Sequence, residues 1–179
     1  MTLPDIDSVF EIRYNPGDAN NQLVGGMYAT AAGYGAPIYG EAQNPSATGT
    51  QKWRLQQVDG KPGVVQIIAV EPLPLHIGGM EPIALPPAVG WGIKRGEDGA
   101  PSRIITLEAN TAEFILRPWG DQQDPNVFNV VIQRPSARPV SLHLANVVAL
   151  DERTEALTVE GHLFPNPTNP PPQWQFIKA

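Results

Sequence analysis

Few residues in this chain have types and spacing that could do chemistry. There are three histidines, His76, His143 and His162. None belongs to an HExxH or HxH pattern, and no second metal ligand follows at metal-binding spacing. The serines Ser8, Ser46, Ser102, Ser136 and Ser141 stand in turn-like or strand contexts, with no GxSxG nucleophile elbow around any of them. Neither GxxxxGK[ST] nor a GxGxxG leading into a helix occurs, so no nucleotide cofactor is expected. The paired acids Glu97-Asp98 and Asp151-Glu152 read as charged, solvated turns. With no cysteine, thiolate metal sites, thiol nucleophiles and disulfides all drop out. The expectation is a protein that is not an enzyme and holds no metal or cofactor.

What remains is binding, and binding belongs in loops carried by a rigid scaffold. Three segments qualify. The first runs Asn20, Asn21, Gln22, Leu23, Val24, Gly25, Gly26, Met27. Its glycine pair removes two side chains, so the backbone can approach another surface closely, with apolar residues on either side. The competing reading is a bulge or tight turn in a hairpin. The second is Gln43 to Thr50, a small polar loop that includes Asn44, Pro45, Ser46, Ala47 and Thr48. The third is Pro72, Leu73, Pro74, Leu75, His76, where alternating prolines stiffen the chain and lower the ordering cost of binding. Its competing reading is a barrel corner with buried leucines.

The elements that must carry these loops are strands. Phe10, Ile12 and Tyr14 alternate with Glu11 and Arg13, and Trp53 and Leu55 alternate with Arg54 and Gln56. Residues 103–107, 127–133 and 140–144 repeat the pattern, which marks strands with one face in a core. Turn chemistry separates them, as in Asn15-Pro16-Gly17-Asp18 and Asp59-Gly60-Lys61-Pro62-Gly63. Residues 145–161 hold a run of helix formers and read either as a short helix or as strand, charged turn and strand.

A faint internal repeat organises the strands. Gly25-Gly26-Met27 recurs as Gly78-Gly79-Met80, an offset of 53 that also lays Ile12 over Val65 in phase. A third step of that size lands near Leu116. Three four-stranded units follow: 9–15, 23–31, 36–43 and 51–58; then 63–71, 75–80, 89–95 and 103–109; then 113–119, 127–134, 140–148 and 173–178, with an insertion. This predicts an all-β, β-trefoil fold, a six-stranded barrel capped by three hairpins, as one domain over 1–179. A β-sandwich is the alternative. The run Phe164 to Pro172 reads as a stiff extended loop before the closing strand.

Composition supports a folded globule without long helices. The 179 residues include 20 prolines and 17 glycines, with 41% hydrophobic residues. Twelve Lys+Arg against eighteen Asp+Glu give a net charge of −6. The basic residues are scattered, so nucleic acid is not an expected partner. No apolar stretch approaches the roughly 20 residues of a membrane helix, and the N-terminus lacks the charged and apolar regions of a signal peptide. The expected setting is intracellular and reducing, and the expected state is a monomer.

The strand VFEIRYN, the segment LVGGMYA (23–29), the later strand Lys52-Trp53-Arg54, the missing cysteines and the length together resemble the mycocypins, mushroom inhibitors of cysteine proteases, and above all their macrocypin branch. The resemblance covers mainly residues 9–58. It implies a β-trefoil that reversibly inhibits papain-like, cathepsin L-like cysteine proteases. In that family the loop between the first two strands and the loop between the third and fourth occlude the active-site cleft. Here these map onto Asn20 to Met27, with Gly25 and Gly26 at the tip, and onto Gln43 to Thr50. Some members also inhibit legumain through an asparagine between the fifth and sixth strands. The corresponding Glu71 to His76 contains no asparagine, lysine or arginine, so neither legumain nor trypsin inhibition carries over to it.

Two alternatives share the fold. Gln51-Lys52-Trp53 matches the QxW pattern of ricin-type lectins, although a tryptophan ending a trefoil unit is more often core than sugar platform. A trypsin-like inhibitor would use Lys61, Lys94 or Arg95.

Overall fold

The computed structural model describes residues 4–6, 8–15, 26–44, 51–70, 88–95, 101–118, 125–133, 144–164 and 170–179. Twelve strands are described, and all are antiparallel to their neighbours: β1 (Val9–Asn15), β2 (Met27–Ala31), β3 (Ile38–Glu41), β4 (Lys52–Gln57), β5 (Val64–Ala69), β6 (Gly90–Arg95), β7 (Pro101–Glu108), β8 (Phe114–Pro118), β9 (Val127–Ile132), β10 (Leu144–Leu150), β11 (Leu157–Leu163) and β12 (Gln173–Lys178).

Six of them close a ring. β1 pairs β4, β4 pairs β5, β5 pairs β8, β8 pairs β9, β9 pairs β12, and β12 returns to β1. Closure leaves these strands no open edge to protect. The other six form hairpins, β2–β3, β6–β7 and β10–β11. The hairpins touch in a triangle, through Pro37 with Thr106, Tyr39 with Ala156 and Ile104 with Thr158. This is the β-trefoil that the alternation and the repeat predict.

Register reveals the pseudo-threefold. Tyr14, Ala69 and Ile132 stand opposite Trp174, Trp53 and Phe114 in turn. Ile12, Ile67 and Val130 stand likewise opposite Phe176, Leu55 and Leu116. Ile12 therefore corresponds to Ile67, an offset of 55, where the sequence suggests Val65 and 53. The two offsets differ by two residues, so the inward face is the same, because strand side chains alternate with period two. The next step, from Ile67 to Val130, is 63 residues.

That longer step corrects the unit borders. The segment 113–119 holds β8, which closes the second unit, and the third unit begins at β9. Residues 89–95 and 103–109 hold the sixth and seventh strands, not the seventh and eighth. The expected strand 75–80 lies outside the described residues. Within 145–161 there is no helix: β10, the turn at 151–155 and β11 occupy it, and β11 takes up part of the supposed insertion. Leu150, Leu157 and Val159 supply the buried face that fixes a strand there. Among the described residues Glu155 is the non-glycine with positive φ, 57°, and it turns the chain.

The core fills the barrel. Trp53, Trp91, Trp174, Phe114, Phe128 and Phe176 are among its largest buried side chains. Trp91 stands edge-on to Trp53, Phe114 and Trp174, with ring centroids 5.7, 6.0 and 6.1 Å away. Those three are the threefold-related partners named above. By register Trp91 corresponds to Ala29 and Val148. One large ring at the middle of the three leaves room only for smaller residues at its two equivalents. Gly90 precedes it because a Cβ there would come within 2.2 Å of the Ile67 carbonyl oxygen.

Candidate functional site

The candidate loops leave from the first unit. β1 and β2 pair through Arg13 with Tyr28 and Tyr14 with Met27, so the chain returning from 16–25 re-enters the sheet at Gly26 and Met27. Gly26 has φ +71°, and a Cβ built on it would stand 2.6 Å from the Arg13 Cδ. Its backbone needs glycine for both reasons. Met27 is half-buried and packs against the core.

The second loop is closed at its base by a buried amide. Gln51 is 2% exposed. Its Oε1 accepts the Asn44 backbone N–H at 2.9 Å. Its Nε2 donates to the Ala42 carbonyl at 3.0 Å and to the Thr30 hydroxyl at 2.9 Å. Thr30 in turn donates to the Tyr28 carbonyl, also at 2.9 Å. Buried polar groups are costly unless paired, and here the chain of bonds pairs them. It runs from Asn44, where the second loop begins, to Tyr28, two residues past Gly26. At the exposed rim Gln43 Nε2 donates to the Glu11 carboxylate at 2.8 Å.

Of the sequence-derived site residues, Gly26, Met27 and Asn44 are described, and the hydrogen-bond chain brings their segments together. Asn20, Asn21, Gln22, Leu23, Val24 and Gly25 lie outside the described residues, as do Pro45, Ser46, Ala47, Thr48, and the segment Pro72 to His76. Sequence reasoning missed Thr30, and it met Gln51 only as the first letter of a lectin pattern. A polar residue at the start of a strand gives no sign of being buried.

The other candidates are placed too. Trp53 is fully buried, its indole N–H donating to the Ala29 carbonyl at 2.9 Å, so it is core and not a stacking platform. Lys61 Nζ lies 2.7 Å from both carboxylate oxygens of Glu113. His162 is half-buried, 3.3 Å from Glu160. Among the described residues no three acidic, histidine or cysteine side chains converge as a metal site would require.

Ring closure, three hairpins and threefold register define the class as a β-trefoil. Among solved structures, a designed threefold-symmetric protein, ThreeFoil, is similar with a TM-score of 0.56, over 97% of this chain and 100% of that one, at 11% sequence identity. That likeness speaks to fold. The family model described as peptidase inhibitor clitocypin matches residues 8–176. The chain belongs to this family, the mycocypins, which is a family of peptidase inhibitors. No curated protein matches it.

Proposed function

We propose that the protein reversibly inhibits papain-like cysteine proteases, without catalysis or cofactor of its own, by laying 20–27 and 44–48 across the active-site cleft. The observation that carries this reading is the linkage of the two segments: Asn44 is tied through Gln51 and Thr30 to Tyr28. Loops held at a common base need less ordering on binding, which leaves more of the contact energy as affinity. Two such loops also widen contact toward the roughly 800 Å² per partner of a standard interface. A glycine tip offers a catalytic thiol no side chain for the specificity pocket, and a peptide bond held in a non-substrate orientation is not cut.

The test is residual papain or cathepsin L activity with the protein in excess. Inhibition is expected, and full activity at micromolar protein would overturn the reading. Gly25→Arg is expected to weaken inhibition strongly with little change in Tm. Equal inhibition by that variant would move the contact elsewhere. Legumain and trypsin in the same panel are expected to stay active.

A further inference from the structure

The three units do not agree at the position of Gln51, although the fold relates them. Counting from the equivalent pairs Phe10–Trp53, Val65–Phe114 and Phe128–Trp174, the residue two before each aromatic is Gln51, Ala112 and Pro172. The trefoil itself thus has no need of an amide there. In the third unit the returning chain is held differently, by Asn129 Nδ2 donating to the Pro171 and Pro172 carbonyls. In the first unit, which bears both candidate contact segments, the buried Gln51 amide stands at the returning end of a loop and hydrogen-bonds to its departing end, at Ala42 and Asn44, and to a neighbouring strand. Burying a polar amide is unfavourable unless it is satisfied, so it is retained where it fixes a geometry.

We propose that Gln51 is a positioning residue for inhibition: it clamps the loop between Asn44 and its own backbone and sets that loop against β2, which follows the glycine segment. This rests on the reading of 20–27 and 44–48 as the protease contact. Its carbonyl oxygen fixes where the loop leaves, at Asn44. Its two amide hydrogens fix the distance to Ala42 and to Thr30. Fixing Asn44 against Gln51 and β2 lowers the ordering cost of binding at that end. A variant that loses these bonds is expected to bind more weakly and to be cut as a substrate.

The experiment compares the full-length parent with Gln51→Leu and Gln51→Glu against papain. Gln51→Leu keeps the bulk and removes all three hydrogen bonds. It is expected to stay folded by its tryptophan signal, to inhibit about tenfold or more weakly, and to be nicked between residues 43 and 51 on long incubation, as read by mass spectrometry. Gln51→Glu is expected to inhibit better near pH 5 than near pH 7.5, relative to the parent at each pH, because only the protonated acid can donate where the amide did. A folded Gln51→Leu that inhibits like the parent and stays intact overturns the proposal while leaving the proposed contact standing. A parent that fails to inhibit papain overturns both. Should Gln51→Leu not fold, hydrogen exchange on the parent decides: the Asn44 amide should be protected like those of β3 and β4, and exchange at the free-chain rate overturns the clamp.

Discussion

Arg13 lies across Gly26, so that a Cβ built on Gly26 would stand 2.6 Å from the Arg13 Cδ and 3.0 Å from its Cγ. The glycine is also in the left-handed region, φ +71°. These two causes can be separated. Gly26→Ala is expected to lower stability by about 1–3 kcal/mol, combining backbone strain with displacement of the arginine stem. Pairing it with Arg13→Ala should recover the steric share and leave the strain. Denaturant unfolding of the four proteins in the cycle measures this, and strict additivity would show that the arginine does not crowd the glycine.

The tryptophans are not equivalent in their polar ends. Trp53 and Trp174 donate to the Ala29 and Val148 carbonyls at 2.9 and 2.8 Å. Trp91 Nε1 is buried with no acceptor among the described residues. Replacing each by Phe removes similar volume, but only the first two changes leave a buried carbonyl without its donor. Trp53→Phe and Trp174→Phe are therefore expected to cost about 1 kcal/mol more than Trp91→Phe. Trp91→Ala, which empties the centre of the aromatic cluster, is expected to cost about 3–5 kcal/mol. Urea unfolding curves of the set test both statements.

Tyr14 packs against Trp174 at 5.1 Å between ring centroids. Burial, then the charges of Glu160 and Glu152, push its phenol above the ordinary 10.0. The neutral phenol is the favoured form in the fold, while the unfolded chain ionises at the ordinary value. The resulting stability is complete below about pH 10 and is lost as pH rises through the folded-state pKa. Tyr14→Phe, which cannot ionise, is expected to flatten the alkaline fall in Tm. Phenolate absorbance of the parent should include one tyrosine titrating late, and its absence in the variant identifies the residue.

Much of the fold was legible in the sequence because strands write their burial with period two. Phe10, Ile12, Trp53 and Leu55 announce their inward faces, and the turn at 59–63 announces itself by Asp-Gly and Pro-Gly. The repeat was legible for the same reason, although its offset was misplaced by two residues, an error that the alternation absorbs. Borders after Val89 were less legible. The third unit starts later than equal steps imply, and β11 shows alternation only if the acidic turn at 151–155 is recognised as a turn.

For the site, the sequence by itself determined the glycine pair, the polar composition of 43–50 and the absence of thiol chemistry, since these depend on residue type alone. It also carried a family resemblance in LVGGMYA. Only the tertiary structure decided that Gln51 is buried and joins Asn44 to Thr30, that Arg13 covers Gly26, and that Trp91 rather than a threefold set fills the centre of the aromatic cluster. Each of these depends on which side chains meet when separate strands come side by side. A glutamine carries no local sign of where its three hydrogen-bond partners will be. Those partners are set where the β2–β3 hairpin comes beside the start of β4, an arrangement that the paired strands of the first unit fix together.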